Sequence, residues 1–172
     1  MIFQDPYASL NPRRLVGEAI AEGPITHGVP RQEALLRARE LLALVQLDPS
    51  AMRRYPHEFS GGQRQRIGIA RALAMRPDLL IADEPVSALD VSVQAQVLAL
   101  LADIRARFGL SMLFITHDLR VAAQICDRVA VMQRGRIVEM GPTAQVFAAP
   151  AHDYTRELLA SIPGQGWTPP LR

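Results

Sequence analysis

Two short, wholly apolar runs, Leu79–Ala82 and Met112–Ile115, do most to limit what this chain can fold into. Asp83 and Glu84 end the first run, and Thr116, His117 and Asp118 end the second. A run without polar alternation reads as a strand buried on both faces, the setting of a parallel sheet covered by helices. Between the two, Val93, Val97, Leu101, Ile104 and Phe108 recur at helical spacing. Strand, helical crossover and strand together predict an α/β layered fold.

The flanking segments extend that pattern. Met1 to Pro12 runs from a short apolar stretch into a turn-rich loop with Pro6 and Pro12, the reading of a strand end. Leu35, Ala38, Leu41, Leu42 and Val45 predict an amphipathic helix over 31–47. Pro49 and Pro56 bracket an irregular link. Ser60 reads as the N-cap of a helix that reaches Met75. After His117, a short helix over 119–125 leads to Arg128–Met132 and Arg136–Met140, which Gln133, Arg134 and Gly135 join as a hairpin. Two small helices, near 143–147 and 154–161, precede a Pro/Gly-rich tail that reads as loose.

Composition narrows the class. The length of 172 residues suits one domain, and 49% hydrophobic with 21% charged residues excludes disorder and fibrous repeats. Cys126, alone in the sequence, excludes an internal disulfide and most zinc modules. No apolar run reaches the roughly 20 residues of a membrane span, and the first residues lack a charged-then-apolar leader. A net charge of +2 is too even to make nucleic acid the main partner. All 19 basic residues are arginine.

Four groups have chemical potential. The Gly61–Gly62 pair behind the Ser60 cap, followed by Gln63, leaves free N–H groups at a positive helix end, a setting that suits phosphate. Asp83 and Glu84 leave a buried strand at its carboxyl end, where open α/β sheets hold their ligands. One carboxylate there can hold Mg²⁺ while its neighbour orients a water. His117 emerges after the second run, at the same sheet edge, and Gln4 after the opening apolar stretch. Taken singly, each also fits a plain structural role: a capped helix, a polar strand exit, a strand-end histidine. Arg64, Arg66 and Arg71, on the helix behind Ser60, read as a solvated or phosphate-facing surface.

In order and spacing, these groups resemble the nucleotide-binding domain of ATP-binding-cassette proteins. Phe59–Gln63 is similar to the family's signature motif, with Phe where Leu is commoner. Leu79–Asp83 resembles Walker B, Glu84 the hydrolytic glutamate, Ser87–Asp90 the D-loop, His117 the H-loop and Gln4 the Q-loop. The stretches 3–13, 55–66, 138–142 and 150–159 resemble the dipeptide and oligopeptide importers, features shared with importers of glutathione, nickel or opines. The family's phosphate loop, Gly-x-x-x-x-Gly-Lys, needs a lysine that these residues lack, so they are expected to be the C-terminal part of a cassette.

The resemblance implies a P-loop NTPase parallel sheet without its N-terminal strands, a helical signature subdomain over about 13–75, and a C-terminal hairpin with helices. It implies a partial nucleotide-binding domain over 1–140 and an importer-type extension over 141–172. ATP and Mg²⁺ are the implied cofactors. Asp83 and Gln4 would serve the metal, Glu84 would polarise water, and His117 would touch the γ-phosphate. Ser60, Gly61, Gly62 and Gln63 would face the nucleotide of a second domain arranged head to tail, with Asp90 at the interface. Transmembrane permease subunits, and through them an extracytoplasmic solute-binding protein, would be partners at the cytoplasmic face of the membrane. The isolated chain is expected to hydrolyse no ATP and to be prone to aggregate. A half-cassette completing a partner's site, and a soluble cassette ATPase, are the alternatives.

Overall fold

β1 (Leu79–Asp83) and β2 (Ser111–Ile115) form at the two apolar runs and pair in parallel, from Leu79 opposite Ser111 to Asp83 opposite Ile115. Ile2 adds a parallel bridge to Ala82 on the other edge of β1. Its N–H donates to the Ile81 carbonyl at 2.8 Å, and its carbonyl accepts from Asp83 N–H at 3.0 Å. The opening residues are thus a strand end beside β1, as the sequence predicts. This computed structural model describes residues 1–5 and 9–162, so the tail at 163–172 and Pro6, Tyr7 and Ala8 lie outside the described residues. The chain divides into two compact units, Met1–Ile115 and Thr116–Arg172.

In the first unit, α1 (Val16–Thr26), α2 (Arg31–Leu44) and α3 (Gly61–Leu73) pack together, and α4 (Val91–Phe108) crosses from β1 to β2. Two 3₁₀ turns, Pro49–Arg53 and Pro56–Glu58, fill the link between α2 and α3. Val16, Ile20, Leu42, Ile67, Leu80 and Leu101 are fully buried and form the centre of this unit. Helix α2 buries Ala34, Ala38 and Leu42, one line at four-residue spacing, while Leu35 and Leu41 are half-buried. It ends three residues before the predicted Leu47, because Gln46 takes a left-handed φ of 60°.

Two expectations are corrected. Neither strand is buried on both faces: Leu79 of β1 is 52% exposed, and Leu113 and Ile115 of β2 are 52% and 44% exposed. Among the described residues β2 pairs only with β1, and no helix covers that face of the strand. Phe108, placed by periodicity on the buried stripe of α4, is exposed, because the helix buries Val97, Leu98, Leu100, Leu101 and Ile104 and Phe108 is its last residue.

The second unit begins with α5 (Leu119–Ile125), followed by β3 (Arg128–Gln133) and β4 (Arg136–Pro142), an antiparallel pair. Its last two helices are α6 (Thr143–Ala148) and α7 (Asp153–Ala160). Arg134 and Gly135 both have positive φ, 49° and 77°, the backbone sign of the tight turns that match hairpin twist. Ala122, Ala123, Val131, Val146 and Phe147 make a small core of their own. The Glu139 carboxylate accepts from the N–H groups of Ala151 (2.8 Å) and His152 (3.1 Å), tying α7 to β4.

Candidate functional site

Glu84 leaves β1 with a φ of 43°, a left-handed backbone that costs a non-glycine residue about 1–2 kcal/mol. Neighbours hold it there. Its N–H donates to the Ile115 carbonyl at 3.0 Å, and its own carbonyl accepts from the Ser87 N–H (3.3 Å) and hydroxyl (3.1 Å). Backbone strain that the surroundings over-determine is characteristic of sites that do chemistry.

The Glu84 carboxylate accepts a hydrogen bond from Gln4 Nε2 at 2.9 Å. Two residues far apart in sequence thus meet at the carboxyl end of β1. The parallel bridge of Ile2 places Gln4 there, two residues further along, and Asp83 stands next to Glu84, half-buried. Gln4 engages Glu84 through its amide nitrogen, so its amide oxygen is the atom left to meet a cation. No cluster of three or more His, Cys, Asp or Glu side chains suited to a metal occurs among the described residues. A carboxylate and an amide oxygen nevertheless fit magnesium, which keeps several waters and takes few protein ligands.

The first turn of α3 is built as a capping box. Gln63 N–H donates to Ser60 Oγ at 3.3 Å, and Ser60 N–H donates to Gln63 Oε1 at 3.0 Å. The box uses the N–H groups of Ser60 and Gln63, and those of Gly61 and Gly62 are not part of it. The two glycines differ in cause. A Cβ on Gly62 would lie 2.3 Å from Val93 Cγ1, so helix packing against α4 demands that glycine. A Cβ on Gly61 would meet only Leu89, at 3.7 Å. Packing therefore explains the glycine at 62, while at 61 no neighbour of the described residues calls for one.

Asp90 caps α4. Its carboxylate accepts from Val93 N–H at 3.0 Å and from the Ser92 hydroxyl at 2.8 Å, and these bonds, the backbone one first, hold its pKa below the usual carboxylate range. Leu89 and Val93 bring this capped turn against the first turn of α3. His117 belongs to the second unit, where it is exposed in the turn closed by Asp118 N–H donating to Thr116 Oγ1 at 3.0 Å. Gln4 and Glu84 are thus joined directly, with Asp83 adjacent, and the α3 and α4 caps form a second cluster in the same unit.

The three arginines of α3 are not a free surface. Arg64 donates to the Phe59 carbonyl at 2.9 Å. Arg66 donates to the Val45 carbonyl (3.2 Å) and to Gln46 and Gln96. Arg71 donates to the Ser9 carbonyl. Each of these half-buried guanidiniums has at least one carbonyl acceptor inside the protein, so they serve packing of the unit as well as its surface. Sequence periodicity could not find the Arg66 and Arg71 bonds, because their acceptors lie 20 or more residues away in the chain.

A family profile described as ABC transporter matches residues 1–87. A Brucella ovis chain named as a peptide import ATP-binding protein is 58% identical over 163 residues, which are 94% of this chain and 51% of that relative. The oligopeptide transport ATP-binding protein OppF of Bacillus subtilis is 54% identical over 165 residues, 95% of this chain and 54% of the relative. Among solved structures, cbiO1 from Clostridium perfringens, described as part of the ABC transporter complex cbiONQ, superposes with a TM-score of 0.76 at 29% identity. That likeness covers 94% of this chain and 63% of the other. The chain spans about half the length of the curated relatives it matches.

Proposed function

This chain belongs to the ABC transporter family, and from that membership we propose that it is part of a subunit that binds and hydrolyses ATP to drive import of peptides or a related small solute. The observation that carries the proposal is the Gln4–Glu84 hydrogen bond beside Asp83, at the carboxyl end of a parallel strand. The names of the relatives from Brucella ovis and Bacillus subtilis support the solute class. Residues 1–140 are read as part of the nucleotide-binding domain, with its helical segment over about 13–75, and 141–172 as an importer-type extension.

In this reading the Glu84 carboxylate accepts a proton from the attacking water, and Gln4 holds that carboxylate in place. Asp83 and the Gln4 amide oxygen would hold magnesium, and His117 would donate to the terminal phosphate. Bound magnesium and ATP supply charge neutralisation and the electrophilic phosphorus. Ser60, Gly61, Gly62 and Gln63 face the nucleotide of a second such domain, where the Gly61 and Gly62 N–H groups and the positive end of α3 oppose phosphate charge. Asp90 stands at the interface between the two domains. Permease subunits place the assembly at the cytoplasmic face of the membrane, with a solute-binding protein on the other side. No helix of the described residues is long and apolar enough to cross a membrane.

Residues 1–172 contain no lysine, the residue that reaches the β- and γ-phosphates in this family's phosphate loop. We therefore expect these residues by themselves to release no phosphate above buffer. In the intact transporter, Glu84→Gln should cut hydrolysis by about 100-fold or more while ATP is still bound. Steady-state phosphate release and nucleotide binding on both preparations test this. Robust magnesium-dependent hydrolysis by residues 1–172 alone, or full activity with Glu84→Gln, would sink the reading.

A further inference from the structure

The loop that carries Gln4 is held at two places. At one, Gln4 Nε2 donates to Glu84 Oε2 at 2.9 Å. At the other, Ser9 N–H donates to the Asp5 carbonyl at 3.1 Å, and the Ser9 carbonyl accepts from Arg71 Nη1. Arg71 lies in the last turn of α3, the helix whose first turn is the Ser60–Gln63 capping box. Along a helix these ends are about 16 Å apart and move as one body. Its two sister arginines on α3, Arg64 and Arg66, serve acceptors elsewhere, at Phe59, Val45, Gln46 and Gln96.

The Arg71 guanidinium is partly withdrawn from water. Burial lowers its pKa, and the charge of Glu22 on α1 works against that lowering. A charged donor in such a place gains much from a carbonyl and loses much without one. Leu10, the next residue after Ser9, is 3% exposed, so the loop is seated in the unit just where Arg71 grips it.

We propose that Arg71 is a positioning residue for Gln4: by holding the Ser9 carbonyl it makes the seat of Gln4 on Glu84 depend on helix α3. This rests on the reading of Gln4 and Glu84 given above. Arg71 does not touch substrate. It joins the helix that presents the capped glycine turn to the loop that steadies the carboxylate at the end of β1. Loss of the donor frees Ser9, and with it the bond from Ser9 N–H to the carbonyl of Asp5, the residue next to Gln4, so Gln4 meets Glu84 less often.

The test uses the full-length transporter and four variants: Arg71→Met, which keeps the apolar stem, Arg71→Lys, Gln4→Ala and the Arg71→Met/Gln4→Ala pair. Amide exchange at Ser9 and Leu10 should rise about tenfold in Arg71→Met and return to within about threefold in Arg71→Lys, with Leu80–Ala82 unchanged as the folding control. In ATP hydrolysis, Arg71→Met should lower kcat about tenfold with KM held, and should add less than about twofold once Gln4 is alanine. Unchanged exchange at Ser9 overturns the proposal, and so does full additivity of the two substitutions. A wild type that hydrolyses no ATP overturns the roles of Gln4 and Glu84, while the exchange measurements still decide whether Arg71 places their loop.

Discussion

The two strand pairs of this molecule are made by opposite means. β3 and β4 are joined by a tight turn at Arg134 and Gly135, so neighbours in sequence become neighbours in space. β1 and β2 are brought side by side only through the length of α4, and the first edge of β1 is taken by Ile2 from the start of the chain. The hairpin's helices pack on it from the residues just before and after it, with Ala122, Val131, Val146 and Phe147 at their centre. In the parallel pair Leu80 and Ala82 are fully buried. The chemistry collects on the second kind of pair. Parallel strands end at one common edge, and loops from distant parts of the chain converge there, as Gln4 and Glu84 do. A hairpin has no such edge.

Perturbations confined to one unit sharpen this contrast. Leu80→Ala removes a side chain that is wholly buried, and a loss of about 2–5 kcal/mol is expected in the stability of the first unit. Urea-dependent amide exchange should show β1 and β2 opening earlier while the protected amides of β3 and β4 keep their midpoint. A common shift in both pairs would mean that the two units unfold as one, and the contrast would fail.

A smaller effect is expected from Gly135→Ala. Its φ of 77° is open to glycine and strained for alanine, at a cost of about 1–2 kcal/mol. Because the turn is local, faster exchange should appear in β3 and β4 and leave Leu80–Ala82 untouched. A loss of protection in β1 would show that the hairpin supports the parallel pair after all.

The smallest effect concerns pH. The Asp90 carboxyl is held below its ordinary range by Val93 N–H and the Ser92 hydroxyl. A depressed carboxyl stabilises the folded state above its unfolded pKa of about 3.9, and that contribution is lost as pH falls through the lower folded value. Protection of the Val93 amide, corrected for intrinsic exchange, should therefore decline below about pH 4 in the wild type and stay flat in Asp90→Asn. Equal decline in both would remove Asp90 as the cause.

Much of the architecture is legible in the residues. The two apolar runs, the helical period between them, the Ser60 cap and the Gln133–Arg136 turn each follow from local chemistry, and each appears where it is predicted. Helix α1 is harder to read. Gly17, Gly23 and Pro24 weaken its helical signal, and it forms because Val16, Ala19 and Ile20 find a core to enter. The exposure of Phe108 and of one face of β2 was equally hidden, since periodicity reports which residues share a face and not what covers it.

By itself the sequence determined the element types, their order and the presence of carboxylates at a strand exit, because spacing and propensity act over a few residues. Tertiary structure alone decided that Gln4 grips Glu84, that Gly62 must be bare for Val93, and that Arg71 reaches Ser9. Those contacts join residues far apart in the chain. Their geometry exists only once the sheet has set its register and α3 and α4 have packed.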